Sequence, residues 1–293
     1  MASTKKIVGL SIEYAANAIY QASAMIITAG AGMGVDSGLP DFRGDRGFWE
    51  AYPPLKKPGI NLQDMANPKW FDSDPKFAWG FYGHRYKLYK NTTPHDGFGI
   101  LLKWAKSMEN GYHVYTSNVD GHFQKAGFPK DRVDECHGTI HYLQCADVSI
   151  SDAIWPVPDN FDIHVEESTL RASSPLPLGP PSNPTHLARP NIKMFHDATW
   201  INTRTSAQEV EFKAFEEKLI GDGTTFIVIE IGSGLAVPRV RERAETIVKR
   251  SKGKGTLIRI NPAESTVPHG QHIGLPLGAL EAITSIDKIL KST

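Results

Sequence analysis

Cysteine, net charge and long apolar runs are all scarce in this sequence. Its 293 residues include only two cysteines, Cys136 and Cys145, so a disulfide framework is excluded. The 32 basic and 32 acidic residues balance, which argues against nucleic acid as an obligate partner. No apolar run approaches the roughly 18 residues that a membrane-spanning helix needs, and the first residues are mixed and polar. We therefore expect no nucleic-acid partner, no membrane partner and an intracellular, cytoplasmic protein.

Glycine, by contrast, is abundant, and three glycines follow a short apolar run. The run at 24–29 leads into Gly30, Gly32 and Gly34, which are spaced as G-x-G-x-G. Glycines after a buried strand let the backbone approach a pyrophosphate, and the N–H groups of the turn supply the donors. A plain strand-to-loop turn would explain the glycines equally well. The acid, aromatic ring and cation that follow at 41–43 favour a dinucleotide site.

Short apolar strands alternate with helical patterns, the rhythm typical of a parallel sheet covered on both faces. The strand patterns lie at 24–29, 113–116, 132–135, 225–231 and 256–260. The helical patterns lie at about 10–22, 95–107, 207–219 and 236–250, the last with Pro238 in its first turn. We therefore predict an α/β fold with a mostly parallel sheet and helices on both faces. Two stretches break the rhythm, at about 46–93 and 141–206; the first is aromatic-rich and helical in its second half.

The block at 30–43 resembles the signature of the sirtuins, a family of NAD-dependent protein deacylases. It reads G-A-G-M-G-V-D-S-G-L-P-D-F-R, against G-A-G-x-S-x-x-S-G-I-P-D-F-R in the family. It departs at Gly34, where serine is usual, and at Leu39, where isoleucine is usual. Further blocks resemble the family's in the same order, at 116–121, 124–127, 135–138, 187–195, 232–237 and 259–261. Together the blocks span from about residue 25 to the C-terminus, which makes chance agreement remote.

This resemblance implies a particular division of the chain. A Rossmann-like NAD-binding domain would comprise residues 1–45, 94–140 and 207–293. The stretches 46–93 and 141–206 would form a smaller inserted domain, made of a helical module and a loop-rich module. Substrate and NAD+ would lie in the cleft between the two domains.

The resemblance also assigns roles to residues of the matching blocks. It implies that His137 is the general base toward the ribose hydroxyls and that Asn118 holds the ribose and a water. Asp120 would contact the nicotinamide carboxamide, and Asn261 the adenosine ribose. The implied NAD+ contacts are Gly30, Ala31, Gly32, Asp41, Phe42, Arg43, Ser117, Asn118, Asp120, Gly232, Ser233, Gly234 and Asn261. The products would be free lysine, nicotinamide and O-acyl-ADP-ribose.

Each of these residues also has an ordinary structural interpretation. A histidine beside a glycine after a short strand is more often structural than catalytic. Asn118 and Asp120 would then form an Asx turn that caps the following helix, and Asn261 a turn before Pro262. The constellation as a whole favours the catalytic interpretation for His137.

The acyl-lysine substrate is the least certain part of the resemblance. Tyr82 and Arg85 have the Tyr-x-x-Arg spacing of sirtuins that accept succinyl and malonyl groups, and on a helix this spacing puts both side chains on one face. A helix that packs its tyrosine and exposes its arginine explains the spacing equally well. Phe195 stands where the family has the phenylalanine of Phe-Gly-Glu, so we assign it to the substrate site. Because His196 and Asp197 replace the glycine and glutamate, we expect peptide docking to be altered or blocked.

Structural zinc is not expected. Sirtuins usually hold zinc on two Cys-x-x-Cys pairs, but here Cys145 lies near the first ligand position and no second pair exists. A mixed site of Cys145, Asp147, His164 and His186 is a minor alternative, because these ligands are scattered along the chain. Without zinc, we expect apolar and aromatic packing to hold the smaller domain.

Three further functions remain open. The same NAD+ cleavage can pass ADP-ribose to a protein side chain or to water, which would make the chain a mono-ADP-ribosyltransferase or an NAD glycohydrolase. A catalytically idle NAD-binding sensor is the third. The joint presence of Asn118, Asp120 and His137 argues against an idle protein. We predict a deacylase whose partner is an acyl-lysine protein.

Overall fold

The computed structural model describes residues 2–41 and 44–292. Its helices are α1 (Ala2–Gln21), α2 (Gly44–Ala51), α3 (Leu62–Met65), α4 (Lys69–Ser73), α5 (Pro75–Asn91), α6 (Asp96–Lys106), α7 (His122–Lys125), α8 (Thr203–Gly221), α9 (Arg239–Arg250) and α10 (Ala279–Leu290). Its strands are β1 (Ala24–Ala29), β2 (Tyr112–Thr116), β3 (Val133–Glu135), β4 (Gly138–Cys145), β5 (Ile154–Pro156), β6 (Val165–Glu166), β7 (Arg171–Ala172), β8 (Ala188–Ile192), β9 (Phe226–Ile231), β10 (Gly255–Ile260) and β11 (Ile273–Leu275). Within the described residues, no helix is both long and apolar enough to cross a membrane.

The largest sheet runs in the order β11-β10-β9-β1-β2-β3, and its strand pairs are parallel. In the centre, Ile27 of β1 lies opposite Val114 of β2 and Ile229 of β9. The α/β fold with a parallel sheet is confirmed, and five of its strands coincide with the sequence patterns. Strand β11 was not predicted, because three residues are too few to show a strand pattern.

Helices cover both faces of this sheet because its strands are apolar on both sides. On one face, Ile27 and its neighbours pack against α1, α6 and α10. On the other, Ile26 and its neighbours pack against α8 and α9. The predicted helices α1, α6, α8 and α9 are thus present, whereas α10 was not predicted. Because helices cover both faces of the sheet, the turns of the candidate site lie at the carboxyl ends of its strands.

A separate apolar cluster surrounds α5 and the antiparallel sheet β5-β4-β8. The segment 46–93 is helical in its second half, as predicted, and α5 begins where Asp74 accepts a hydrogen bond from the Phe77 N–H at 3.2 Å. Trp79 donates from Nε1 to the Ala188 carbonyl at 2.8 Å, which ties α5 to β8. Aromatic packing thus joins the two stretches that interrupt the parallel sheet in sequence. The division into two domains stays a prediction.

The contact between α5 and β7 makes a test of this packing. A Cβ at Gly80 would lie 1.9 Å from the Leu170 carbonyl oxygen, whereas one at Gly99, exposed on α6, would meet nothing within 4 Å. We expect Gly80→Ala to lower the free energy of unfolding by about 2 kcal/mol or more, because backbone must move. Gly99→Ala should raise it by about 1 kcal/mol through helix propensity. Urea unfolding measures both, and equal stability of the two variants would contradict the packing.

Candidate functional site

The carboxyl ends of β1 and β9 lie side by side, and each continues into a glycine turn. The Gly32 N–H donates to the Gly232 carbonyl at 3.0 Å, and the Gly30 N–H donates to the Ile231 carbonyl at 2.9 Å. A Cβ at Gly32 would lie 2.6 Å from the Gly232 Cα, and one at Gly232 would lie 2.4 Å from the Gly32 carbonyl carbon. Gly232 also has a φ of +64°, in the left-handed region. The two turns therefore cross in direct backbone contact, which side chains at these positions would prevent.

Backbone donors remain free where the turns cross. The N–H groups of Ala31, Ser233 and Gly234 have no acceptor in the part of the chain that the structure describes. A cleft of about 100 Å³ opens beside them, lined by Gly32, Val35, Asp36, Asp41, Ile231, Gly232, Ile260, Pro262, Gly278 and Ala279. Free N–H groups on bare backbone suit a phosphate, and the carboxyl edge of a parallel sheet is where nucleotides bind. These residues therefore fit a dinucleotide.

The turn after β2 is fastened to the first glycine turn. The Ser117 N–H donates to the Ala29 carbonyl at 3.1 Å, and Asn118 Nδ2 donates to the Gly30 carbonyl at 2.9 Å. The Asn118 N–H donates to Thr116 Oγ1 at 3.0 Å. The Asn118 side chain thus lies against the glycine turn, and its Oδ1 accepts no hydrogen bond from the described residues.

Asp120 closes the same turn and is 9% exposed. Its Oδ1 accepts from the His122 N–H at 2.8 Å, and its carbonyl accepts from His141 Nε2 at 2.9 Å. The first of these bonds forms the Asx turn of the structural interpretation, directly before α7. Oδ2 is then the carboxylate atom that a ligand could contact.

His137 follows β3 at the same edge of the sheet. Its carbonyl accepts from the Lys193 N–H at 2.9 Å. Burial, followed by the positive charges of Arg239 and Lys193, lowers the pKa of His137 to about 4, while the nearby Ser117 backbone acts in the opposite direction. The imidazole is therefore neutral at pH 7 and can accept a proton.

A buried ion pair that the sequence analysis missed supports the second glycine turn. Arg259 of β10 donates from Nε and Nη2 to Glu230 of β9 at 2.8 and 2.7 Å, and each side chain is 1% exposed. Ser233 donates its hydroxyl hydrogen to the same carboxylate. The Ser233 hydroxyl thus points into the protein, which leaves its N–H for a phosphate. The available signal was one charge within each of two apolar runs, F-I-V-I-E-I and L-I-R-I.

Asn261 is buried and bonded on both sides of its amide. Nδ2 donates to the Ser233 carbonyl at 2.8 Å, and Oδ1 accepts from the N–H groups of Ala263 and Glu264, each at 3.0 Å. These bonds form the turn of its structural interpretation and fix Ser233 in place. A contact between Asn261 and the adenosine ribose stays a prediction.

Tyr82 and Arg85 lie on α5 within the aromatic cluster. Arg85 donates from Nε and Nη2 to the Tyr89 hydroxyl at 2.9 and 2.5 Å, and its guanidinium lies over the Phe81 ring at 5.3 Å. The Tyr82 hydroxyl is buried without a hydrogen-bond partner among the described residues. Burial raises the pKa of Tyr82, and the charge of Arg85 opposes this shift. The phenol and guanidinium are therefore electrostatic neighbours, although Tyr89 rather than Tyr82 accepts from Arg85.

The loop after β8 carries the third substrate prediction. The Phe195 N–H donates to the Ala66 carbonyl at 2.9 Å, and its side chain packs against the aromatic cluster. His196 has a φ of +55°, a region that favours glycine. Asp197 is paired with Arg189, and their side chains are 0% and 1% exposed. The segment 195–197 is thus anchored by a backbone hydrogen bond at Phe195 and by an ion pair at Asp197.

Two predicted cofactor contacts, Phe42 and Arg43, lie outside the described residues. Asp41 lies at the wall of the cleft. Cys145 is buried, and its Sγ donates to the Leu187 carbonyl at 3.9 Å. No group of three histidine, cysteine or acidic residues within the described chain is arranged to hold a metal ion. The alternative metal site of Cys145, Asp147, His164 and His186 therefore does not form among these residues.

Fold and site together define an α/β protein whose parallel sheet ends in a cleft lined by glycine turns. The sequence model of the Sir2 family matches residues 30–228, and this chain belongs to that family. The sirtuin resemblance of the sequence blocks is thereby confirmed.

Three curated relatives span different shares of their own lengths. A protein of Fusarium oxysporum f. sp. cubense, named "Probable bifunctional ADP-ribose hydrolase/ADP-ribosyltransferase", is 27% identical over 273 residues, which are 89% of this chain but 44% of that protein. An Aquifex aeolicus protein named NAD-dependent protein deacylase is 26% identical over 83% of this chain and 85% of its own. A Daphnia pulex protein of the same name is 27% identical over 89% of this chain and 90% of its own. This chain thus spans less than half of the first relative and most of the other two.

Two solved structures share the fold. A Sir2 homologue in complex with ADP ribose has a TM-score of 0.68 at 21% identity and covers 94% of this chain and 95% of its own. Sir2Tm bound to a propionylated peptide has a TM-score of 0.61 at 21% identity, with coverage of 94% and 95%. The Rossmann-like character of the sheet is confirmed by these likenesses.

The electrostatic environment of His137 leads to a measurable titration. We expect its imidazole to titrate near pH 4 in NMR spectra, well below the ordinary value of 6.5. Arg239→Met should raise this pKa, because removal of a cation stabilises the imidazolium. The resonance is assigned by its loss in His137→Gln. A pKa near 6.5, or one unchanged in Arg239→Met, would contradict the environment described.

Proposed function

We propose that this chain is an NAD-dependent protein lysine deacylase. The observation that carries the proposal is the meeting of three turns at one sheet edge. Gly32 crosses Gly232, Asn118 donates to Gly30, and His137 lies beside the Ser117 backbone. The Aquifex and Daphnia relatives, both named as deacylases, support this activity.

Each group has a defined task in this proposal. The N–H groups of Ala31, Ser233 and Gly234 would hold the phosphates of NAD+. When bound, NAD+ supplies an ADP-ribosyl group with nicotinamide as the leaving group. The free amide oxygen of Asn118 orients a ribose hydroxyl, and Asp120 Oδ2 accepts from the carboxamide. The unprotonated ring nitrogen of His137 takes a proton from the ribose, because its low pKa keeps it neutral at pH 7.

Nicotinamide release tests the activity. Purified protein is incubated with NAD+, alone and with acetyl-, succinyl- and malonyl-lysine peptides. We expect release that depends on peptide, formation of O-acyl-ADP-ribose, and a loss of about 100-fold or more in His137→Ala, because general-base catalysis contributes at least that factor. His269→Ala, which removes an exposed histidine, is the matched control and should keep its rate.

Release that ignores every peptide would overturn the deacylase proposal. Free ADP-ribose would then indicate an NAD glycohydrolase, and ADP-ribose on protein, detected by mass spectrometry, an ADP-ribosyltransferase. Binding of NAD+ without release would indicate a sensor. ADP-ribosyl transfer is the second candidate, because the Fusarium relative carries that activity in its name and aligns with 89% of this chain.

We also propose a preference for acidic acyl groups. Arg85 places a guanidinium in an aromatic environment, beside the buried Tyr82 hydroxyl that has no hydrogen-bond partner among the described residues. A carboxylate at the end of a succinyl or malonyl chain would accept from both groups. This preference would deepen the deacylase assignment without being required for it.

Arg85→Met separates this preference from a structural role. We expect kcat/KM for succinyl-lysine peptide to fall about tenfold to a hundredfold, the worth of a hydrogen bond to a charged group. The acetyl-lysine reaction should change far less. Lys87→Met, two residues along α5, is the control, because Lys87 pairs with Asp162 at the surface at 3.1 Å. Equal losses with both peptides would assign Arg85 to packing alone.

A further inference from the structure

Two cations, Lys193 and Arg239, lie near enough to His137 for their charges to act on its imidazole. Lys193 directly follows β8, and its backbone N–H donates to the His137 carbonyl at 2.9 Å. Arg239 is the first residue of α9, and its Nε donates to the Tyr115 hydroxyl at 2.9 Å. Its charge also acts on the Cys136 thiol, next to His137 in the chain. A ligand beside His137 would therefore lie near both a lysine and an arginine.

Lys193 and Arg239 differ from five other arginines of the fold in having no carboxylate partner among the described residues. Carboxylates contact Arg189, Arg204, Arg243, Arg250 and Arg259. Within the described residues, neither Lys193 nor Arg239 is paired with a carboxylate, and both residues are exposed. Lys193 instead lies over the Trp200 ring, with Nζ 5.6 Å from its centroid.

The acids closest to Arg239 do little to compensate its charge. Glu209 is paired with Lys213 at 2.8 Å. Burial, together with the charge of Glu209, raises the pKa of Asp134 to about 7, so this carboxyl is only partly ionised near neutral pH. A cation in the first turn of α9 also opposes the helix dipole. Neither cation thus forms an ion pair with a carboxylate among the described residues, and this uncompensated positive charge beside His137 indicates a role toward a ligand.

The segment before Arg239 indicates what kind of ligand this is. Leu235 and Val237 are 60% and 46% exposed, so the segment before α9 presents apolar side chains close to Arg239 in the chain. A small inorganic anion would not use such a surface, whereas a peptide would. We propose that Lys193 and Arg239 select peptides with acidic residues flanking the acyl-lysine, which enters beside them toward His137. This inference rests on the proposed deacylase function, since it describes the substrate of the same site.

Paired peptides test the selection. One acyl-lysine peptide carries glutamates on both sides of the lysine, and its partner carries glutamines. We expect kcat/KM for the acidic peptide to be higher by about tenfold at low salt and by less at high salt. Lys193→Gln and Arg239→Gln should each reduce the preference about threefold, and the double variant should abolish it. Lys254→Gln, at the opposite edge of the sheet, is the control.

A binding measurement keeps this test separate from the proposed activity. Anisotropy of the two fluorescein-labelled peptides is recorded in the presence of ADP-ribose, without turnover. If no peptide is turned over but the acidic one binds more tightly through Lys193 and Arg239, the selection stands and the deacylase proposal fails. If both peptides are turned over with equal kcat/KM, the selection is overturned and the deacylase proposal stands. Variants that raise the KM for NAD+ and leave the peptide preference intact would also overturn it, because the cations would then serve the cofactor.

Discussion

The backbone crossing of Gly32 and Gly232 is the constraint on which the rest of the site depends. The two turns come from β1 and β9, which are neighbours in the sheet, and each leaves no room for a Cβ on the other. Because backbone lies directly on backbone, the crossing itself positions the N–H donors of Ala31 and Ser233. The Asn118 amide donates to the Gly30 carbonyl, so the same crossing also positions the Asn118 side chain.

Behind the crossing, the site is held by polar groups that are unusual in a sheet of this kind. Burying Glu230 and Arg259 removes both from water, and such a pair is weak evidence for net stability. The pair instead orients Ser233, because the Ser233 hydroxyl donates to the Glu230 carboxylate. The Ser233 carbonyl accepts from Asn261. With hydroxyl and carbonyl both occupied, the Ser233 N–H is the remaining polar group of that residue. A buried ion pair thus determines which atom of the turn is free for a ligand.

The sequence predicted the sheet well because its strands are continuous apolar runs, and the motif blocks placed the glycine turns and His137 at one edge. It could not predict the partners of those side chains. Ser233 was expected to contact NAD+, but its hydroxyl donates to Glu230, which Arg259 holds from another strand. The cations beside His137 lie in segments far away in the chain, and no local pattern joins them. Burial and long-range charge arise only with the tertiary structure.

The loop 193–200, which begins at Lys193, is fixed by hydrogen bonds. Gln144 of β4 accepts from Asn191 Nδ2 at 3.0 Å and from the Ile201 N–H at 3.1 Å, and so clamps both ends of the loop 193–200. Inside the loop, Asp197 pairs with Arg189. The N–H of Lys193 in turn bonds the His137 carbonyl, so the clamp extends to the proposed base itself. A substrate that moves this loop therefore also moves Lys193, whose charge lowers the pKa of His137 after burial and Arg239 have done so.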